Sequence, residues 1–338
     1  MRVADLPTPA VIVDATALAR NLDTMAAALP GARLRPHVKA HKCTALAREQ
    51  VARGHTHFTC ATPSEVVGIA RAGMGDDVLL ANETVDAERL RAMAACDANV
   101  TVAVDSDATI AAAANNGIAR VLIDVNVGLP RCGCSPEAAG HVADTARRAG
   151  LDVRGVMGYE GHVVGLTDRS ERDTTTATAM QLLARAHADV GGDIISAGGT
   201  GTYDLNTYAT EIQAGSYALM DTAYAELGLP FEPAFVIAAT VIHASDTYAV
   251  ADCGIKALSM DHGNPALDNA SVWFCSDEHI TFAPEHRPRV GDRVFVRPAH
   301  VDPTLAIHTH LHLADALTAD AAVVDTWPID LRGWSVDR

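Results

Sequence analysis

The feature that most constrains this chain is a rhythm: short β-rich runs alternate with Ala-rich amphipathic stretches along its first two thirds. The runs predict strands over 34–39, 57–60, 78–80, 100–104, 121–125, 153–158, 193–197 and 211–219. Between them, 44–53, 64–72, 85–95, 136–149 and 172–190 carry helical patterning. Pro63 and Ser64 stand where a helix opens, and Gly54, Gly73 and Gly150 where helices close. Eight strands, most of them followed by a helix, predict an α/β fold of the (β/α)8 TIM-barrel type over 1–230. After Pro230 the rhythm changes. Runs at 235–244, 247–251, 271–274, 293–296 and 305–313 follow one another without long helices, predicting a mainly β second domain over 231–338.

In a barrel of this kind the chemistry lies at the C-terminal ends of the strands. The reactive side chains cluster there: Lys39 at the first, Arg131 after the fifth, Tyr159 and His162 after the sixth. Ser196–Thr202 (SAGGTGT) follows the seventh, and Ala214–Tyr217 (AGSY) belongs to the eighth. The first run, RLRPHVKAHK, is dense in polar groups. On a strand, residues two apart share a face, so Arg35, His37, Lys39 and His41 would point together and Lys42 away. Burial and neighbouring positive charge would favour a neutral Lys39 amine, the form that attacks a carbonyl carbon. A solvated basic patch at a strand end is the competing reading of this segment. The Gly-rich turns weigh against it. Gly198–Thr202 and Gly215-Ser216 offer backbone N–H groups and hydroxyls suited to a phosphate.

A formal net charge of −16 disfavours nucleic acid and anionic membrane surfaces as partners. Hydrophobic residues make up 49% but aromatics only 4%, so aliphatic side chains must fill the core. Seven cysteines without framework spacing predict reduced thiols and a cytoplasmic protein. Cys132 and Cys134 read as loop residues, since no second pair completes a zinc site. No signal-peptide pattern and no apolar run of membrane-spanning length is expected to interrupt this picture.

PHVKAHK, DVNVGLPRCG, GYEGH, SAGGTGTY, AGSYALMD, SDEH and PAHVDPT, in that order, resemble the D-threonine aldolase / D-serine dehydratase group of fold-type III pyridoxal-phosphate enzymes. The resemblance runs from TPAVIVD into the C-terminal β region. It implies pyridoxal 5'-phosphate (PLP) on Lys39 as a Schiff base, Arg131 facing the pyridine nitrogen and Tyr159 against the cofactor. Thr200, Gly215 and Ser216 would hold the phosphate. It also implies a divalent metal (Mn, Mg or Zn) on His300 and Asp302, a D-β-hydroxy amino acid as substrate, and a homodimer.

Taken alone, His-x-Asp is a common pairing, and a hydrogen-bonded surface pair is the favoured explanation of it. In the group, however, dehydratases of the eukaryotic type carry His-x-Cys here and aldolases His-x-Asp. The pair therefore points to an aldolase releasing glycine and an aldehyde. The alternatives are a dehydratase giving a 2-keto acid and ammonia, an amino-acid racemase, and a non-enzymatic PLP carrier. His162 or metal-bound hydroxide would take the hydroxyl proton. The group places a histidine a few residues further beyond the tyrosine than His162, so this assignment departs from its pattern. His279 would support the metal or substrate region, and His308, His310 and His312 would line an outer strand face.

Overall fold

The computed structural model describes residues 1–336. Seven strands form one parallel sheet in chain order: His57–Cys60, Asp77–Leu80, Val100–Val104, Arg120–Asp124, Asp152–Gly158, Ile194–Ala197 and Glu211–Ile212. The strand Val100–Val104 is buried along its whole length, as expected of a parallel strand covered on both faces. Leu79, Ala103, Leu122 and Met157, from four successive strands, pack as one apolar cluster. Helices such as Pro63–Arg71 and Arg169–Val190 connect the strands. Thr62 caps the first of these by accepting from the Glu65 N–H, which explains why the helix begins at Pro63. The sheet curls, and at its open side Leu34 bridges Ile212 while His37 bridges Thr59.

Two of the expected strands are mostly something else. Pro36 supplies no N–H to a ladder, and after His37 the chain tightens into a 3-10 turn, Val38–Ala40. The eighth run is a strand only over Glu211–Ile212. Gly215 interrupts it, and Ser216–Ala218 form another 3-10 turn. The structure thus shows a curled seven-stranded parallel sheet where eight regular strands were expected.

The second sheet is built mainly from Phe235–Ala244, Ala249–Ala251, Ala270–Cys275, Ile280–Pro284, Arg293–Val296, His310–Ala314 and Val323–Pro328. The N-terminal strand Ala10–Asp14 joins it, antiparallel to Phe235–Ala244 and parallel to His310–Ala314. Ile12, Val236, Ala238 and Ala314 form the centre of its apolar core.

The expected run 305–313 divides into a helix, Val301–Ile307, and the strand His310–Ala314. Pro303 is accommodated because it stands in the helix's first turn, where no intrahelical N–H is required.

The chain forms two compact units that do not follow a single cut at 230. Among the described residues, one comprises 25–39, 47–215 and 331–336, and the other 1–24, 40–46 and 216–330. Among the described residues, no helix is long and apolar enough to cross a membrane.

Candidate cofactor and metal sites

In the first unit, Lys39 stands half-buried in the 3-10 turn Val38–Ala40 rather than on a regular strand. Its parity with Arg35 therefore fails. Arg35 is 1% exposed and committed elsewhere, its Nε 2.7 Å from Glu211 and its Nη1 3.0 Å from Asp77. Burial disfavours that guanidinium charge, but the two carboxylates outweigh it and hold the arginine protonated. Arg35 ties neighbouring strands together and is a structural ion pair.

Tyr159 directly follows the strand Asp152–Gly158 and gathers the group. The Lys39 Nζ lies 5.9 Å from its ring centroid and the Arg131 guanidinium 5.4 Å, both over the ring. Arg131, Tyr159, Asp124, Asn126, Leu129 and Cys132 line a small pocket. Asp124 is buried there beside Glu83. Burial, then the Glu83 charge and hydrogen bond, push the Asp124 carboxyl well above its usual range, while Arg131 opposes the shift. Asp124, beside Glu83, thus favours its protonated form. Neither was foreseen, because nothing local in the sequence pairs residues 83 and 124.

The Gly-rich turn lies against the same tyrosine: a Cβ added to Gly199 would stand 3.7 Å from Tyr159 Cε2. At Gly201 a Cβ would meet the Val164 carbonyl at 1.9 Å, so only glycine permits this close approach. Glu160, buried and missed by sequence reasoning, organises the turn. It accepts from Gly198 N–H (3.1 Å), the Thr202 hydroxyl (2.9 Å) and Asn206 (3.3 Å). Burial raises its pKa against these hydrogen bonds. Gly199 N–H donates to the Thr202 hydroxyl. Gly198 and Gly199 therefore serve the turn itself, and Thr200 is buried within it. His162 is exposed, packed so closely on Gly128 that a Cβ there would lie 2.7 Å from its ring.

In the second unit, Gly215's neighbour Ser216 is buried at the start of its 3-10 turn. His300 precedes the helix Val301–Ile307 in an extended conformation, with Asp302 in the first turn. The shared strand face inferred from their spacing does not exist. The helix start nevertheless brings His300 Nε2 within 3.2 Å of Asp302 Oδ2. Asp221 accepts from Val301 N–H at 2.9 Å, and the Thr304 hydroxyl donates to the His300 carbonyl at 2.7 Å. Lys42, with φ of +53°, donates to the Asp302 carbonyl at 2.7 Å. Burial disfavours the His300 cation, but Asp302 and Asp261 outweigh it and raise its pKa.

His310 and His312 share a strand face, their ring centroids 6.3 Å apart, whereas His308 precedes the strand and contacts the Ala257 carbonyl. His279 is half-buried just before the strand Ile280–Pro284. Cys132 and Cys134 are free thiols, as are the other five cysteines.

The donor chemistry fits both implied groups. A lysine amine, a flanking aromatic ring, a buried threonine hydroxyl and a Gly-rich turn suit a phosphorylated aldehyde cofactor. An imidazole and a carboxylate suit Mn²⁺, Mg²⁺ or Zn²⁺.

Residues 13–223 match the alanine racemase N-terminal domain family, and residues 234–314 a serine dehydratase domain family. The fold is thus that of a PLP-dependent class. D-threonine aldolase of Arthrobacter sp. is 31% identical, with 98% of this chain and 94% of that protein aligned. The crystal structure of D-threonine aldolase from Filomicrobium marinum superposes with a TM-score of 0.91 at 33% identity, covering 98% of this chain and 96% of that one. D-threo-3-hydroxyaspartate dehydratase from Delftia sp. HT23 shares the fold, with a TM-score of 0.87 at 24% identity, covering 98% and 100%. The chain belongs to the D-threonine aldolase-like family, a family of lyases.

Proposed function

We propose that this chain is a PLP- and divalent-metal-dependent aldolase that cleaves D-β-hydroxy amino acids to glycine and an aldehyde. The observation that carries the reading is the grouping of Lys39 and Arg131 over the Tyr159 ring. Bound PLP supplies an electron sink for bonds at the amino acid's Cα. Lys39 would hold the cofactor covalently through its side-chain amine. Tyr159 would support its ring, Arg131 would serve the pyridine nitrogen without protonating it, and Thr200, Gly215 and Ser216 would hold its phosphate.

His300 and Asp302 would hold the metal, which would supply Lewis acidity toward the β-hydroxyl. His162 would accept the hydroxyl proton as the Cα–Cβ bond breaks, leaving its electron pair on Cα and making Cβ the aldehyde carbonyl; Cα would then take a proton from water to give glycine. The exposed position of His162 leaves it able to exchange that proton with water. His-x-Asp rather than His-x-Cys favours this reading over a dehydratase.

Three structural expectations belong to the same reading. Residues 34–37 close the curled sheet as an eighth stave, supported by Arg35 N–H to the Ile212 carbonyl, His37 N–H to the Ala214 carbonyl and Thr59 N–H to the Pro36 carbonyl. The family resemblance supports a homodimer, which light scattering would test. Seven free thiols support a reducing, cytoplasmic setting.

Product analysis on D-threonine and D-serine tests the activity. Glycine with an aldehyde is expected. A 2-keto acid with ammonia would establish the dehydratase instead.

A further inference from the structure

The imidazole of His300 is engaged on both nitrogen edges and on one face. Its Nδ1 lies 2.7 Å from Asp261 Oδ2 and its Nε2 3.2 Å from Asp302 Oδ2. The His262 ring lies flat against it, with centroids 3.9 Å and planes 5° apart. Asp261 is itself anchored, since its other carboxylate oxygen accepts from the Ser259 hydroxyl.

We propose that Asp261 is a positioning residue for the metal pair, fixing His300 as the tautomer whose Nε2 faces the ion beside Asp302. The inference rests on the metal reading given above and adds a residue to it. A carboxylate accepting the Nδ1 proton leaves the Nε2 lone pair as the only one available for a cation. The same contact makes that lone pair more basic and sets the direction in which it points. The stacked His262 restrains rotation of the ring about its Cβ–Cγ bond. The arrangement therefore orients both nitrogens before any ion arrives.

A rival geometry uses the same side chains. Asp261, His262 and His300 each offer a ligand atom, all within 4.8 Å of one another. An ion there would take Nδ1 of His300 and exclude Asp302. Ring stacking argues against it. An imidazole lone pair lies in the plane of its ring, so a good ligand keeps the ion close to that plane. Two planes separated by a stacking distance and tilted by only 5° do not meet near either ring. Burial points the same way, with side-chain exposures of 16% for Asp302 and 50% for Asp261. Asp302 also sits in the more firmly held segment, with Lys42 on its carbonyl and Asp221 on the Val301 N–H.

The test uses the full-length, PLP-loaded protein, stripped with a chelator and titrated with Mn²⁺. Binding is followed by loss of the paramagnetic resonance signal of the free aquo ion. Asp261→Ala is expected to weaken Mn²⁺ binding by about 10–100-fold, and Asp261→Asn by less, because its amide oxygen still accepts the proton. With Zn²⁺ bound, the His300 Nδ1 proton should give a slowly exchanging downfield proton resonance. His300→Ala and Asp261→Ala should each remove it, and thermal melting verifies that every variant is folded. Wild-type affinity in Asp261→Ala with that resonance intact would overturn the inference. So would loss of binding in His262→Ala alongside full binding in Asp302→Asn, since the ion would then sit on the rival side. A wild-type protein that takes up no Mn²⁺, or His300→Ala binding as the wild type does, would instead remove the metal reading itself.

Discussion

The cofactor region and the metal region are assembled in opposite ways. Around Tyr159, each participant comes from a different strand end: Lys39, Arg131 and the Gly-rich turn are far apart in sequence and meet only because a parallel sheet aligns its C-terminal ends. His300 and Asp302 come from a single helix start, and local backbone geometry alone nearly suffices to bring them together. The first arrangement depends on the whole sheet, and its supports are buried polar groups such as Glu160. The second depends on one turn and on the contacts of Asp261, Lys42 and Asp221. Loss of cofactor should therefore track damage across the parallel sheet, whereas loss of metal should follow a few local substitutions.

The sharpest break in that comparison comes from Lys39→Ala. It should reduce activity to background and abolish the covalent cofactor absorbance and borohydride labelling, while chelator-stripped protein still takes up Mn²⁺. The converse is His300→Ala or chelation. Either should lower the rate by about 100-fold, corresponding to roughly 3 kcal/mol of Lewis-acid stabilisation, and leave the cofactor spectrum in place. Added Mn²⁺ should restore the chelated wild type but not the variant. If activity survives complete metal removal, the second region has no part in the chemistry.

Glu160→Gln probes the support of the Gly-rich turn. An amide NH₂ would face donors that now meet a carboxylate, costing roughly 1–3 kcal/mol and lowering the thermal midpoint. Cofactor release should accelerate in parallel. Tyr159→Ala should weaken cofactor affinity by about 10-fold through loss of the ring contact, with Tyr159→Phe close to wild type, as equilibrium dialysis would show.

The smallest effect concerns Asp124. Its carboxyl has a raised pKa in the folded protein, so the folded state binds more protons than the unfolded one above the ordinary value of 3.8. Stability contributed by this group is present below 3.8 and is lost as pH rises through the raised value. Asp124→Asn should flatten that decline in thermal melts taken across the window. A decline of unchanged slope would place its origin elsewhere.

Much of the fold was legible because strand and helix periods are local. The strands Phe235–Ala244 and Arg293–Val296 fell where alternation and turn residues put them. Legibility failed where a proline or glycine met a strand-like run, at Pro36 and Gly215, and where Pro303 disguised a helix start. Among the candidate site residues, Lys39 stood out by the polarity of its segment, though for a partly wrong reason: Arg35, its supposed neighbour in charge, is an ion-pair partner of Glu211 and Asp77. Glu160 stood inside GYEGH with nothing local to mark its partners, and Asp261 carried no signal beyond being one acidic residue in a strongly acidic chain.

The sequence by itself determined the alternation that makes a parallel sheet, the glycine-rich turns at its last strands, and the His-x-Asp pair. Each is encoded within a few residues by hydrogen-bonding geometry or side-chain spacing. Only the tertiary structure decided that Ala10–Asp14 joins the second sheet between strands more than 200 residues later, that Glu160 anchors the Gly-rich turn, and that Asp261 reaches His300. Such pairings depend on chain closure over long separations. The free energy that selects them comes from burial and charge compensation among residues with no local relation in the sequence.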